Sequence, residues 1–324
     1  MTAQEVRVKM NSYGQEHKPF LFAVDYEMNN GLFVPKPLEQ EEIYWRIHDK
    51  GNTPPDLTSK PGSYFHSHPA EETIYALKFD LVQQELNKGN SFLLNLTQAT
   101  LVETDYSFEE IFLRSNAPFN LLVPGKMVCF SPEIFIRIEG RRISSYPMKG
   151  TINADLPQAE QTILNDYKES AEHFTIVDFI RSDLSRVATK VKVDRLRYAD
   201  RLHTMHGNIL QISSEISGEL PAHWNTSVGD LLFKLLPAGS ISGAPKESSV
   251  RIIREAEKED RGYYSGVFGY FDGERLHSAV MIRFIENRNG KLYFHSGGGI
   301  TINSNMHSES DEVIEKVYLP FINN

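Results

Sequence analysis

The chain has 324 residues, 40% of them hydrophobic and 24% charged, a balance ordinary for a globular protein and enough length for one or two domains around a sizeable core. A formal net charge of −9 with no basic stripe or interleaved aromatic platform argues against nucleic acid as a partner. No apolar run approaches the roughly 18 residues of a membrane span, no apolar segment follows the first charges as in a secretory signal, and Cys129 stands alone, so no internal disulfide forms and a cytoplasmic location is expected.

In chain order, the first 60 residues read as strands and turns, closed by Gly51-Asn52-Thr53-Pro54-Pro55 and Lys60-Pro61-Gly62. A helix is predicted from Glu71 to about Lys88, stopped by Gly89-Asn90, then a strand from Ser91 to Thr100. Met127 to Tyr146 reads as a hairpin: an apolar run through Phe130, the alternating Phe135-Ile136-Arg137-Ile138, a turn at Glu139-Gly140-Arg141, and Arg142 to Ser145. Cys129 sits in the apolar Val128-Cys129-Phe130, where a buried inert thiol is expected. It also lacks the flanking glycines of a nucleophile turn, so hydrolysis of glutamine by this chain is not expected.

Directly after the hairpin comes Pro147-Met148-Lys149-Gly150-Thr151. A lysine at the end of a strand can act as a nucleophile if burial or a neighbouring cation lowers its pKa from about 10.4 toward roughly 7 to 8. The alternative is a solvated loop lysine. Counting outward from the turn sets Glu133 opposite or nearly opposite Lys149, and facing positions on paired strands lie about 5 Å apart, so an acid and an amine could serve one substrate. An ordinary cross-strand ion pair would look the same.

Between Pro157 and Val193 the apolar positions Ile163, Tyr167, Ala171, Phe174, Val177, Ile180, Leu184 and Val187 step by threes and fours, predicting one long amphipathic helix with Glu169 and Glu172 on its polar face. A short helix is expected from Gly229 to Leu235, broken by Leu236 to Lys246 and resumed to about Glu259. Strands follow over Tyr264 to Phe271, His277 to Glu286 and Lys291 to Phe294, then Gly297-Gly298-Gly299, then a last helix from about Glu309 to Val317. Runs of strands and helices without regular βαβ spacing indicate α+β with large antiparallel sheets.

Glu169 with Glu172, and Glu309 with Glu312, are pairs three apart. Gathered together, four carboxylates need a cation, and an all-oxygen set suits Mg²⁺; the alternatives are a solvated face and ordinary acid placement in a first helical turn. The glycine run offers unobstructed N–H groups for an anion, or tight packing of a turn. Arg283 lies in the apolar Val280-Met281-Ile282-Arg283-Phe284 and needs an anionic partner, internal or bound. Lys316 adds positive charge one turn beyond Glu312, or pairs with it.

Over residues 64–317 these segments, in this order, resemble the chorismate-utilising enzymes: anthranilate synthase component I, aminodeoxychorismate synthase component I, and the isochorismate and salicylate synthases. The resemblance is carried by Asn90 to Thr97, Ser131-Pro132-Glu133, Pro147 to Thr151, Glu169 to Val187, Pro237 to Lys246, Arg261 to Phe271, Ile282-Arg283 and Gly297 to Lys316. It implies a single domain over residues 1–324 with a shortened N-terminal region of about 60 residues, built from two large packed antiparallel sheets flanked by helices.

The branch resembled is aminodeoxychorismate synthase component I. Anthranilate synthases usually carry alanine at the position of Lys149, and isochorismate and salicylate synthases carry a water-activating lysine where this chain has Leu93. The resemblance implies Lys149 as nucleophile and Glu133 as general acid. It implies Mg²⁺ held by Glu172 and Glu312, with Glu169 and Glu309 supporting through water. Chorismate is implied to meet Gly150, Thr151, Gln211, Ser240, Tyr264, Arg283, Gly297, Gly298, Gly299 and Lys316. Ammonia would come from a separate glutaminase subunit. Three positions depart from the family: Gln211 replaces a usual histidine, Leu93 a common glutamine, and Met306-His307 a Pro-Glu or Pro-Gln step. His66-Ser67-His68 has no role in the family and reads as surface. The rival expectations are anthranilate synthase and a silent subunit that only positions a glutaminase.

Overall fold

A computed structural model describes residues 1–53, 62–204, 207–319 and 321; Pro54, Pro55, Lys60 and Pro61, expected in turns, lie outside that range. The first element is a helix, Ala3–Gln15, rather than the expected strand. Its signal was in the sequence: Thr2 and Glu5 form a reciprocal capping box, with Glu5 N donating to Thr2 Oγ1 at 3.2 Å and Thr2 N to Glu5 Oε2 at 2.8 Å.

Two nine-stranded antiparallel sheets form the body of the protein. One runs Met148–Asn153, Gly207–Glu219, Arg142–Ser145, Ile134–Glu139, Leu276–Val280, Val267–Phe271, Phe20–Val24, Gly31–Pro35, with Thr189–Thr204 also paired to Gly207–Glu219. The other runs Gly243–Ala244, Leu93–Thr104, Lys291–Thr301, Phe284–Arg288, Met127–Ser131, Phe119–Val123, Tyr44–Ile47, Lys50–Gly51, with Phe65–His68 beside Leu93–Thr104. Side-chain alternation glues them together. Leu21 and Ala23 join Phe119, Leu121 and Cys129 between the sheets, while Phe20, Phe22 and Val24 turn outward beneath the helices. Val128 and Phe130 likewise face away from Cys129, into a cluster with the helix Phe108–Arg114.

The expected hairpin from Met127 to Tyr146 is corrected. Only Ile134–Glu139 and Arg142–Ser145 pair with each other; Met127–Ser131 belongs to the opposite sheet. The chain changes sheets at Ser131-Pro132-Glu133, where proline interrupts the ladder. A second crossing divides the expected strand His277 to Glu286 into Leu276–Val280 on one sheet and Phe284–Arg288 on the other. Arg283, at φ +53°, makes that turn.

The expected long helix is also two helices, Ala159–Asn165 and Tyr167–Ser185, separated at Asp166, whose extended backbone lets its side chain cap Glu169 N at 2.8 Å. Its apolar pattern continues past Ser185 because Val187, Val191 and Val193 pack on the same core from the following loop and strand.

Candidate active site

Lys149 owes its direction to a defect in its strand. Met148 pairs with Ser213 and Thr151 with Gln211, so three steps on one strand match two on the other, a bulge at Lys149 and Gly150. Gly150 supplies the required backbone at φ +89°, and a Cβ there would lie 3.1 Å from Glu169 Oε2. The re-aimed lysine reaches into a cavity of about 180 Å³, with Nζ 2.8 Å from Glu172 Oε2. Burial favours the neutral amine, but the charges of Glu172, Glu312 and Glu169 outweigh it and hold the pKa above the ordinary lysine value. This reverses the expectation of a lowered pKa, because the neighbours are anions rather than cations.

Glu133 borders the same cavity, though not across a ladder from Lys149, whose strand pairs with Gly207–Glu219 instead. The acid is placed by the first sheet crossing, the arginine by the second, and backbone bonds tie the two crossings together: Val280 N donates to Glu133 O at 3.1 Å and Phe130 N to Arg283 O at 3.0 Å. Ser240 Oγ donates to Glu133 Oε1. Burial nevertheless keeps the Glu133 carboxyl above its usual range, against the lowering effects of Ser240 and Lys316. Such a group is suited to donating a proton.

Gly297, Gly298 and Gly299 lie in the strand Lys291–Thr301 rather than in a turn. They pair with Thr97, Leu96 and Asn95, but the neighbour on the other side, Phe284–Arg288, pairs no further along than His295. One backbone edge therefore faces the cavity, where Gly297 O receives Lys316 Nζ at 2.8 Å. Side chains here would intrude: a Cβ at Gly299 falls 3.5 Å from Lys149 Nζ, and one at Gly298 falls 3.4 Å from Glu309 Oε2 and 3.8 Å from Glu312 Oε1. Lys316 Nζ also pairs with Glu312 Oε1 at 2.6 Å, and burial lowers its pKa. Arg283 Nη1 donates to Lys316 O at 2.8 Å.

Of the residues singled out in the sequence, Lys149, Glu133, Glu172, Glu312, Ser240, Tyr264, Arg283, Lys316 and the three glycines all border this cavity. Glu169 stands behind Gly150 and Glu309 behind Gly298. Gly150, Thr151 and Gln211 do not line it; Thr151 and Gln211 face each other across the ladder beside it. Among the described residues, no three acidic, histidine or cysteine side chains are arranged as a ready-made ion cage. The structure adds His295, buried at the cavity wall. Its only mark in the sequence was a histidine following the apolar Leu292-Tyr293-Phe294.

Residues 22–320 match the chorismate binding enzyme family. The chain belongs to that family. It is 50% identical over 320 residues to an uncharacterized PabA-like protein of Haemophilus influenzae, covering 98% of this chain and 97% of that one. It is 34% identical over 260 residues to aminodeoxychorismate synthase component 1 of Salmonella typhimurium, covering 75% of this chain and 56% of the relative. The menaquinone-specific isochorismate synthase of Escherichia coli shares the fold with a TM-score of 0.75 at 16% identity, covering 97% of this chain and 80% of that one. Leu93 borders the cavity as an apolar side chain. Cys129 is fully buried and its thiol pKa is driven up by burial. Among the described residues no helix is long and apolar enough to cross a membrane.

Proposed function

We propose that this chain is an aminodeoxychorismate synthase component I, converting chorismate and ammonia to 4-amino-4-deoxychorismate, a product that feeds 4-aminobenzoate and folate synthesis. The observation that carries this reading is a bulge-aimed lysine sharing one cavity with a carboxyl group held above its usual pKa. The apolar Leu93 favours an amine over water as nucleophile.

In this mechanism Lys149 Nζ, as the free amine, bonds to C2 of chorismate while the C4–O bond breaks and Glu133 passes its proton to the departing oxygen, releasing water. Ammonia then bonds to C4, the C2–Nζ bond breaks, and one proton of the ammonia restores Glu133. Lys316, Arg283 and the open edge of Gly297 to Gly299 offer positive charge and N–H groups to the substrate's carboxylates.

We further propose Mg²⁺ at Glu172 and Glu312, backed by Glu169 and Glu309. The donor set fits: Glu309 and Glu312 flank Gly298, Glu172 and Glu312 border the cavity, and Mg²⁺ needs only one or two carboxylates because it retains waters. When bound, such an ion would supply positive charge against the repulsion between a dianionic substrate and the carboxylates around Lys149. With its one thiol buried, the chain takes ammonia from outside, from a separate glutaminase subunit.

Product analysis from chorismate, Mg²⁺ and an ammonium salt tests the reading. The expected product yields 4-aminobenzoate only after a lyase is added. Direct release of fluorescent anthranilate would assign the chain to the other branch, and no loss of chorismate at high ammonia would leave a silent binding subunit. A glutamine-dependent rate is expected only with an added glutaminase.

A further inference from the structure

The helix Glu72–Asn87 packs against the last helix, Met306–Glu315, and against the strands Leu93–Thr104 and Lys291–Thr301. Its buried stripe is Tyr75, Phe79, Val82 and Leu86, spaced as a helix face turned to a core. Three of these four are wholly apolar. Tyr75 is the exception: it is 3% exposed, its ring packs with Leu96, Ile300 and Val313, and its buried hydroxyl has no hydrogen-bond partner among the described residues. Phenylalanine would fill the same apolar space without stranding a polar group, so the hydroxyl calls for a partner.

Three carboxylates lie within its electrostatic reach: Glu309, Glu312 and Glu257. Burial first, and then these charges, push the phenol pKa well above the ordinary tyrosine value, so the group stays a protonated donor. Glu257 already accepts from Thr97 N, Thr97 Oγ1, Arg261 Nε and Arg261 Nη2, which fills the roughly four acceptor positions of a carboxylate. The acidic pair of the last helix remains. Sheet register sets it on the same side as Tyr75, because Leu96 is paired with Gly298, cross-strand partners share a face, and a Cβ at Gly298 would lie 3.4 Å from Glu309 Oε2. Glu312 is held by Lys316 at 2.6 Å, whereas Glu309 is 4% exposed, buried in the same layer as the phenol.

We propose that Tyr75 is a positioning residue for the divalent ion, its hydroxyl donating to the Glu309 carboxylate when Mg²⁺ is bound and so holding that carboxylate for the ion's waters. This rests on the metal reading given above and adds to it a donor from a helix that contributes no carboxylate. Tyr75 touches neither the ion nor the substrate; it acts through Glu309.

The test is calorimetric titration with Mg²⁺ alone, for the native chain, Tyr75→Phe, Glu309→Gln and the double variant. Removing a hydrogen-bond partner of a metal-site residue typically costs 10- to 100-fold in metal affinity, and Tyr75→Phe should weaken Mg²⁺ binding by about 10-fold. On the Glu309→Gln background the same change should cost less than about twofold, because the acceptor has lost its charge. Without Mg²⁺ the denaturant midpoint of Tyr75→Phe should equal or exceed the native one, and added Mg²⁺ should raise its melting temperature less than that of the native chain. In turnover the Mg²⁺ concentration for half-maximal rate should rise about 10-fold, with kcat at saturating Mg²⁺ within about threefold. Native Mg²⁺ affinity in Tyr75→Phe, a full loss persisting on Glu309→Gln, or a lowered midpoint without Mg²⁺ would overturn the assignment in favour of a structural tyrosine. A native chain that binds no Mg²⁺ would overturn the metal reading together with this assignment.

Discussion

Two acid–base pairs in this protein have similar separations and opposite surroundings. Arg261 and Glu257 meet at 2.7 Å with both side chains 2% exposed, and the guanidinium also donates to Asn95 O at 2.7 Å and Ile241 O at 2.9 Å. Glu257 in turn accepts from Thr97 N and Thr97 Oγ1, both at 2.9 Å, and the Tyr26 ring lies 4.6 Å from the guanidinium carbon. Lys149 and Glu172 meet at a similar 2.8 Å, but the lysine side chain is 27% exposed and borders a cavity. A guanidinium with its donors occupied fastens the helix Lys246–Glu257 to the sheet. A lysine on a single carboxylate can exchange that partner for a substrate. What distinguishes the Lys149 pair is the open space beside it rather than its distance.

The sharpest way to break this contrast is Lys149→Ala, which should lower aminodeoxychorismate formation by at least about 10²-fold while leaving the denaturant midpoint near native. Retained activity would discard the covalent route. Arg261→Met should do the reverse, costing about 3 to 5 kcal/mol in denaturant unfolding because it strands the Glu257 carboxylate in the interior. The double replacement Arg261→Met with Glu257→Leu should recover most of that loss, and its failure to do so would show that the bonds to Asn95 and Ile241 dominate.

A smaller effect is expected at the bulge. Gly150→Ala places an L residue at φ +89° against Glu169, and should cost about 1 to 2 kcal/mol of stability and reduce kcat/KM by displacing Lys149. Native kinetics with a native midpoint would mean that the bulge is not what aims the lysine.

The smallest effect separates Glu133 from its uncharged analogue by pH. Its folded pKa is raised, so the folded chain holds this proton more tightly than the unfolded chain, and the associated stability is fully present below the unfolded value of about 4.3 and lost as pH rises through the folded value. Thermal melts should therefore show Glu133→Gln gaining on the native protein between acid and neutral pH. Parallel pH curves would mean that the cavity does not perturb this carboxyl.

The fold class and most of the cavity were legible from residue pattern and from resemblance: Lys149, Glu133, the glutamate pairs and the glycine run are where sequence motifs pointed. What misled was the assumption that consecutive apolar strands pair with each other. Nothing local in Ser131-Pro132-Glu133 distinguishes a turn within one sheet from a passage between two, since proline interrupts either. The same limit hid the crossing at Arg283, because an apolar run such as Val280-Met281-Ile282 suits burial in either sheet. The N-terminal helix was missed for a different reason. Its polar composition obscured the helical period, although Thr2 and Glu5 carried its start signal. Lys149's raised pKa could not be read either, since it depends on carboxylates from two helices far apart in sequence.

The two sheet crossings carry a dynamic consequence. Because the backbones around Glu133 and Arg283 are fastened to one another where the sheets exchange strands, the acid and the cation ride on a common frame and can separate only if the sandwich itself comes apart. The distance between Glu133 and Arg283 is thus a property of how the two sheets are joined rather than of any loop at the cavity's edge.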